Sequence, residues 1–346
     1  MRKSFVYILL VILVIFSIVL WQIFGPNIKN PDKRFLFIRT NSSYAQVKDS
    51  LLKDGFIKGD FWFNKIAGYV DYTKNIKPGK YRVSNGMSVY HLVKMLRSGK
   101  QVPVNLIITK LRTKEDLAKK ISRSFETDSA TVIHFLNNND SLSKFDVDSN
   151  TVMTVVIPNT YTYTWTTSLG NIFKKLYAEE KIFWNQDRMA KAQKLQLTPK
   201  QVYIMASIVE EETNKQDDKS KIASVYLNRM KKGMRLAADP TIKFAMKDFE
   251  LKRIYHKYLQ YPSPYNTYLN SGLPPGPICT PSIKTIDAVL DAPETDYLFF
   301  VARADFSGFS DFAATYQEHL VYAKAYQQAL NNLIKERQEN QTDTAN

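Results

Sequence analysis

The stretch Thr198–Thr213 reads TPKQVYIMASIVEEET. It begins like a helix, because threonine can cap the first backbone amides and proline is tolerated at the first helical position. Apolar side chains recur at steps of three or four from Val202 through Met205 to Val209, which is the spacing of one helix face. The sequence therefore predicts a helix with an apolar stripe, and this helix ends in three consecutive glutamates.

These three glutamates point in different directions, because a helix turns by about 100° per residue. Glu210 follows the more polar face and Glu211 follows Ile204 and Ile208, whereas Glu212 continues the main apolar stripe. Burial raises the pKa of a carboxyl group, which suits a general acid at neutral pH. Glu212 is therefore the candidate acid and Glu211 its rival, while a solvated run of surface glutamates is the alternative interpretation.

Further motifs follow this helix in a fixed order. A second helix is predicted from about Lys219 to Lys232, capped by Asp217 or Asp218 and closed by Gly233. The motifs themselves are Ala223–Arg229 (ASVYLNR), Asp239–Thr241 (DPT), Tyr265–Tyr268 (YNTY) and Gly272–Ile278 (GLPPGPI).

Together with Ala206–Thr213, these motifs resemble the YceG-like, MltG-type endolytic murein transglycosylases, in order and spacing from about residue 158 to residue 302. The resemblance implies that Glu212 is the catalytic acid/base. It implies cleavage of the β-1,4 bond between MurNAc and GlcNAc in peptidoglycan strands, with 1,6-anhydro-MurNAc ends, no cofactor, and peptidoglycan synthases as partners. It also implies a set of residues lining the sugar cleft: Asn228, Arg229, Asp239, Thr241, Tyr265, Asn266 and Thr267.

Two positions depart from the family's pattern. Asn159 replaces the acid of a Pro-Asp-Thr-Tyr motif, and Ser310 stands where a Gly-x-His-x-Phe motif has its histidine. Neither change touches the Glu-x-Glu-Thr motif. Any role of that histidine in substrate binding would be absent here or taken over by another residue.

The length and composition of the N-terminal segment predict a membrane anchor. Phe5–Phe24 contains twenty residues and no charge, enough for a helix to cross a hydrocarbon core of about 30 Å. Arg2 and Lys3 precede it, which favours a cytoplasmic N-terminus and a working domain outside the cytoplasm. The residues after Trp21 contain no small-x-small cleavage site, so we expect a retained single-pass anchor in the plasma membrane.

The predicted fold class is α+β: one transmembrane helix, a small LysM-like unit and a mixed catalytic domain. Residues 138–150 read as a loop, Val152–Ile157 as a short strand, and Leu169–Lys194 as a helical stretch broken near Asn185. The predicted segments are 1–4 cytoplasmic, 5–24 transmembrane, 25–33 linker, 34–110 LysM-like, 111–157 connecting and helical, 158–338 catalytic, and 339–346 a disordered tail.

The composition limits the partners. The single cysteine, Cys279, excludes an intramolecular disulfide, and the four dispersed histidines argue against a metal site. A net charge of +15 favours anionic partners. Lys and Arg do not cluster in a stripe with interleaved aromatics, so anionic lipid or cell-wall carboxylates are favoured over nucleic acid. The alternative is that the excess of lysine only keeps the domain soluble. Two other hypotheses stay open: a non-catalytic scaffold that binds peptidoglycan, and a true hydrolase with Asp239 as its second carboxylate.

Overall fold

The structure is a computed structural model that describes residues 2–28, 34–251 and 253–343. The chain forms two compact units. The first comprises the described residues up to Leu106 together with Ile121–Asp128 and Tyr161–Ser168, and the second comprises Ile107–Lys120, Ser129–Thr160 and the chain from Leu169. Helices and strands occur in both, which confirms the predicted α+β class.

The helices of the first unit have well-formed caps. Ser43 and Gln46 form a reciprocal capping box, and the Ser88 hydroxyl accepts a hydrogen bond from the His91 amide. Gly99 ends its helix with a φ of +70°, a conformation that favours glycine. The elements are α1 (Arg2–Phe24), β1 (Phe35–Ile38), α2 (Tyr44–Lys53), α3 (Phe61–Tyr69), β2 (Gly79–Arg82), α4 (Val89–Ser98) and β3 (Val104–Ile107).

The core of this unit lies between β1, β2 and the helices α2–α4. The two strands pair antiparallel with Leu36 opposite Tyr81, so both side chains enter the same core. Leu51, Phe63 and Leu92 are fully buried beside them.

Helix α1 differs from the rest of this unit because nearly all of its side chains are exposed. Lys3–Phe24 has a mean hydropathy of 2.9 and no buried share, and in the part of the chain that the structure describes it is the one helix long and apolar enough to cross a membrane. This supports the predicted single-pass anchor. Most of the predicted linker, residues 29–33, lies outside the described residues.

The second unit is mainly helical, with one hairpin near its end. Elements β3, α5 and β4 each contain residues of both units. In chain order the elements after β3 are α5 (Lys114–Ser124), α6 (Ser129–Asn137), α7 (Asn139–Ser143), β4 (Thr160–Tyr163), α8 (Leu169–Phe183), α9 (Gln186–Lys194), α10 (Pro199–Glu212), α11 (Gln216–Lys231), α12 (Asp239–Met246), α13 (Ile283–Leu290), β5 (Phe299–Ala302), β6 (Ser310–Ala313) and α14 (Tyr316–Asp343).

Helix α10 forms the centre of this unit. It begins as predicted, with a capping box between Thr198 and Gln201 and a proline in the first turn. Every residue from Val202 to Val209 is buried, because α11, α12 and α13 pack around the helix. The predicted stripe is thus only part of its buried surface, as expected for a helix that is apolar on most sides.

Two local predictions in this unit are wrong. Val152–Val155 is a 3-10 turn, not a strand, because the Asp148 carboxylate accepts hydrogen bonds from the amides of Asn150 and Thr151 and tightens the chain. The predicted loop 138–150 contains α7, whose first turn is capped by Asn138 through the Ser141 amide.

Two helix ends also differ from prediction. The cap position of α11 is Lys215, and Asp218 lies inside the helix, buried, where it accepts a hydrogen bond from the Ser310 amide at 2.7 Å. Helix α14 continues to Asp343, so the tail predicted to be disordered from residue 339 is helical through that residue. Residues 344–346 lie outside the described part of the chain.

Candidate active site

The candidate acid lies at the C-terminal end of α10 and contacts α11. Tyr226 donates a hydrogen bond to Oε1 of Glu212 at 2.5 Å. Burial raises the pKa of Glu212 to about 7, and the nearby charge of Asp239 adds to the rise, although the Tyr226 hydrogen bond opposes it. Among the described residues, no cation lies within salt-bridge distance of Glu212. The carboxyl group can therefore hold a proton near neutral pH.

Glu210 has a very different environment. Its Oε2 accepts hydrogen bonds from Lys219 at 2.9 Å, from Ser282 at 3.2 Å and from Thr285. Burial alone would raise the pKa of Glu210, but these partners outweigh it and hold the pKa below its usual value. Glu210 is therefore an ionised structural residue whose hydrogen bonds link α10 to α11 and α13.

Glu211 is also paired with cations, which form a third set of partners. Lys110 lies 2.7 Å from its Oε1, and Arg112 donates to both carboxylate oxygens at 3.3 and 3.0 Å. Burial would raise its pKa, but the hydrogen bonds of Arg112 and Lys110 lower it overall. An ionised, cation-paired glutamate is a poor proton donor, so the geometry favours Glu212 over its rival Glu211.

Two charged side chains, Arg229 and Asp239, act on the Glu212–Tyr226 pair. Arg229 donates from Nε to the Leu298 carbonyl at 2.7 Å and from a terminal nitrogen to the Leu236 carbonyl at 2.6 Å. Burial lowers the pKa of Arg229 but leaves it a cation, and its charge helps to stabilise ionised Glu212. Asp239 accepts a hydrogen bond from Tyr268 at 2.6 Å, and its side chain stays exposed at the start of α12.

Most of the other residues predicted to line the sugar cleft hold the backbone of the site. Asn228 donates to the carbonyls of Thr295 and Tyr297, while Asn266 donates to those of Leu259 and Tyr261. The hydroxyls of the buried Thr241 and Thr267 lie 2.9 Å apart. These polar atoms already have protein partners. Their main role in this structure is therefore to position the chain segments around Glu212, and not to bind a ligand directly.

Tyr265 belongs to the same motif but faces a cavity. Its ring lies 4.7 Å from that of Phe244, and both line a cavity of about 200 Å³ together with Arg112 and Asn150. Gly276 lies beside it, and a Cβ atom there would come within 2.1 Å of the Asn150 carbonyl oxygen. The Gly272–Ile278 motif therefore needs glycine for a close backbone approach.

Comparison with known proteins agrees with this arrangement. A family model described as the YceG-like family matches residues 36–325. The chain belongs to this family. A crystal structure of a YceG-like protein from Listeria monocytogenes superposes with a TM-score of 0.55 at 28% identity, covering 82% of this chain and 97% of that one.

Two relatives of this YceG-like chain carry the name endolytic murein transglycosylase. The protein of Bacillus subtilis (strain 168) is 28% identical over 298 residues, covering 82% of this chain and 81% of the relative. The protein of Streptococcus pneumoniae serotype 2 (strain D39) is 26% identical over 301 residues, covering 77% of this chain but 53% of the relative, so the YceG-like chain spans about half of its length.

Two tyrosines in the YceG-like site were absent from the predicted set. Tyr226 shares a helix face with Ile222 and Arg229, and Tyr268 closes the Tyr265–Tyr268 motif. A buried tyrosine needs a hydrogen-bond partner, and this signal could have identified Tyr226 from the sequence. Only the three-dimensional structure pairs it with Glu212. Among the described residues, no group of three or more metal-ligating side chains occurs.

Proposed function

We propose that this YceG-like protein is an endolytic lytic transglycosylase of peptidoglycan strands, with Glu212 as its acid/base. One observation carries the proposal. Of three consecutive glutamates, two are paired with cations, whereas Glu212 contacts a neutral tyrosine and has its pKa raised to about 7. The names of the two relatives support the substrate class.

The proposed reaction needs only one carboxyl group of this kind. Protonated Glu212 donates its proton to the oxygen that bridges MurNAc and GlcNAc as that bond breaks. The carboxylate then accepts the proton of the C6 hydroxyl of MurNAc, whose oxygen bonds to C1 and closes a 1,6-anhydro ring. Attack within the same sugar has a high effective concentration, so no second carboxylate has to activate water. Tyr226 stabilises the ionised stage through its hydrogen bond.

The full-length chain and its Glu212→Gln variant, reconstituted in nanodiscs, would be incubated with glycan strands and the new ends identified by mass spectrometry. We expect anhydro ends from the native chain and none from the variant. Glu211→Gln is the matched control, because it makes the same change one residue away, and we expect it to retain activity. Loss of activity in Glu211→Gln alone would refute the assignment.

The same experiment separates the alternatives. Reducing ends in place of anhydro ends would indicate hydrolysis, and Asp239→Asn would then test the exposed second carboxylate near Glu212. No cleavage by the native chain would favour the scaffold that binds peptidoglycan without cutting it.

The first unit supports a cell-wall setting. Its order of strand, helix, helix and strand, with β1 and β2 antiparallel, is compatible with the LysM-like interpretation. We assign α1 as a plasma-membrane anchor with the N-terminus in the cytoplasm and both units outside. In that position the enzyme would terminate nascent strands beside the peptidoglycan synthases. Protease accessibility in intact spheroplasts tests the orientation, and cross-linking followed by purification tests the synthase contact.

A further inference from the structure

The last turn of α1 packs directly on the first unit. Trp62 of α3 donates from Nε1 to the side-chain oxygen of Gln22 at 3.0 Å, and the ring of Phe24 lies 5.0 Å from that of Tyr90 on α4. The chain is buried again at Ile28, only four residues after the helix ends. No long linker therefore separates the apolar helix from the folded unit.

This packing sets the depth of α3 relative to a membrane. If α1 crosses the bilayer, its last turn lies at the interface between hydrocarbon and head groups, where tryptophan and tyrosine are enriched. Trp21 is 65% exposed on this turn, as an interfacial tryptophan would be. Trp62 contacts the same turn, so the start of α3 lies at head-group depth.

The outer face of α3 is unusual for a surface in water. Phe61 and Tyr69 are 61% and 91% exposed, while Phe63 and Ala67 are fully buried on the inner side. Phe61, Lys65 and Tyr69 are spaced four residues apart and form one stripe. Two large exposed aromatics flanking a lysine on one stripe have the composition of an interfacial segment.

The charges near this stripe complement an anionic surface. Lys65 lies 5.9 Å from the centroid of the Phe61 ring, and Lys58 is exposed just before α3. Asp60, the neighbouring acid, is paired with Lys48 at 3.0 Å. Within the described part of the chain, neither Lys58 nor Lys65 has a carboxylate at salt-bridge distance.

We propose that the outer face of α3, made of Lys58, Phe61, Lys65 and Tyr69, docks on the anionic lipid head groups of the leaflet from which α1 emerges. Trp21 and Trp62 lie at head-group depth, and this contact would place the rest of the outer face of α3 at the same depth. It holds the first unit against the membrane, so that the unit does not swing freely above it. The proposal concerns the anchor and the first unit only, and does not depend on the reaction at Glu212.

The test measures the depth of three labelled cysteines in the full-length chain. Gly59→Cys and Gly68→Cys mark the two ends of α3, and both sites are open, with no atom within 4 Å of an added Cβ. Lys100→Cys, beyond the end of α4, is the control and lies roughly 15 Å further along that helix from Tyr90. Native Cys279 is buried, so the added thiol is the one that reacts readily.

Each labelled chain would be reconstituted in nanodiscs of phosphatidylcholine, with or without phosphatidylglycerol, that contain a lipid with a nitroxide on its head group. We expect quenching at position 68 to equal that at position 59 when phosphatidylglycerol is present, with several-fold weaker quenching at position 100. Quenching at position 68 that is no stronger than at position 100, or that ignores phosphatidylglycerol, would overturn the proposal.

A charge reversal gives a second measurement. Lys58→Glu with Lys65→Glu should shift the docked-to-undocked ratio by at least roughly fivefold per lysine and reduce quenching at position 68 but not at position 59. Lys94→Glu on α4 with Lys100→Glu just beyond it makes the same charge change elsewhere in the unit and should leave quenching at position 68 unchanged. Equal effects of the two double variants would refute a specific role for α3.

Discussion

Tyr226→Phe removes one hydroxyl and leaves the ring that packs in the core. A hydrogen bond to a charged group contributes roughly 1.5–3 kcal/mol, and one pKa unit corresponds to about 1.36 kcal/mol. The Tyr226 hydroxyl stabilises ionised Glu212, so its loss should raise the Glu212 pKa from about 7 by roughly one to two units. Asp239, Arg229 and Lys243 also act on Glu212 and are unchanged in this variant.

The assay is the initial rate of strand cleavage as a function of pH. Because Glu212 must be protonated at the start of the proposed reaction, its ionisation sets the alkaline limb of kcat/KM. We expect that limb to move to higher pH in Tyr226→Phe, with a lower maximal rate because the carboxyl group is held less firmly. The control is Tyr203→Phe, which removes another buried hydroxyl, one that donates to the Val156 backbone carbonyl at 2.7 Å.

An alkaline limb that stays in place or moves to lower pH would refute this account of Tyr226. A limb that moves equally in Tyr203→Phe would show that the shift reports general loosening of α10. Near-ultraviolet circular dichroism of both variants checks that the core is intact.

Three further predictions concern stability. The pKa of Glu212 is raised in the folded state, so its stabilising contribution is present below about pH 4.5 and is lost as pH rises towards 7. At pH 8, Glu212→Gln should therefore have a free energy of unfolding up to about 3 kcal/mol above that of the native chain, and a higher melting temperature. At pH 4 the variant should be no more stable than the native chain. Glu210→Gln leaves Lys219, which is 7% exposed, without its carboxylate partner and should lower the free energy of unfolding by about 3–5 kcal/mol. The partners of Glu211 are more exposed, so Glu211→Gln should lower it by only about 1 kcal/mol. Urea unfolding of the two variants measures both values. Gly276→Ala should lower the melting temperature far more than Gly170→Ala, because only the former places a Cβ against a backbone oxygen.

Local signals in the sequence predicted the helix starts well. Thr198 caps a helix in the structure as expected, and Asn185 divides α8 from α9 where the break was predicted. Ser43 and Ser88 cap their helices through the same local hydrogen bond. These residues act on backbone amides two or three positions away, so their effect is visible without tertiary structure.

Predictions failed where distant residues decide the outcome. Asp218 is a residue type that often caps helices, but here it is buried inside α11 and accepts a hydrogen bond from the Ser310 amide, 92 residues away. Val152–Val155 has β-branched residues typical of a strand, yet a side-chain turn at Asp148 bends it into a 3-10 turn.

The site shows the same limit. The periodicity of α10 favoured Glu212, but the argument that separates it from Glu211 depends on Lys110 and Arg112, about a hundred residues earlier in the chain. The pairing of Glu212 with Tyr226 depends on how α10 and α11 cross. Burial and long-range charge pairing of this kind are properties of the packed chain.

The three glutamates at the end of α10 look interchangeable in the sequence, yet the fold removes any redundancy among them. Glu210, Glu211 and Glu212 contact a buried lysine, two outer cations and a tyrosine, respectively. Deleting one residue earlier in α10 would turn this run by about 100° and give every carboxylate its neighbour's surroundings. No spare acid exists in the run, so a library that randomises these three positions should recover glutamate at position 212 under selection for activity, and tolerate replacement most readily at position 211.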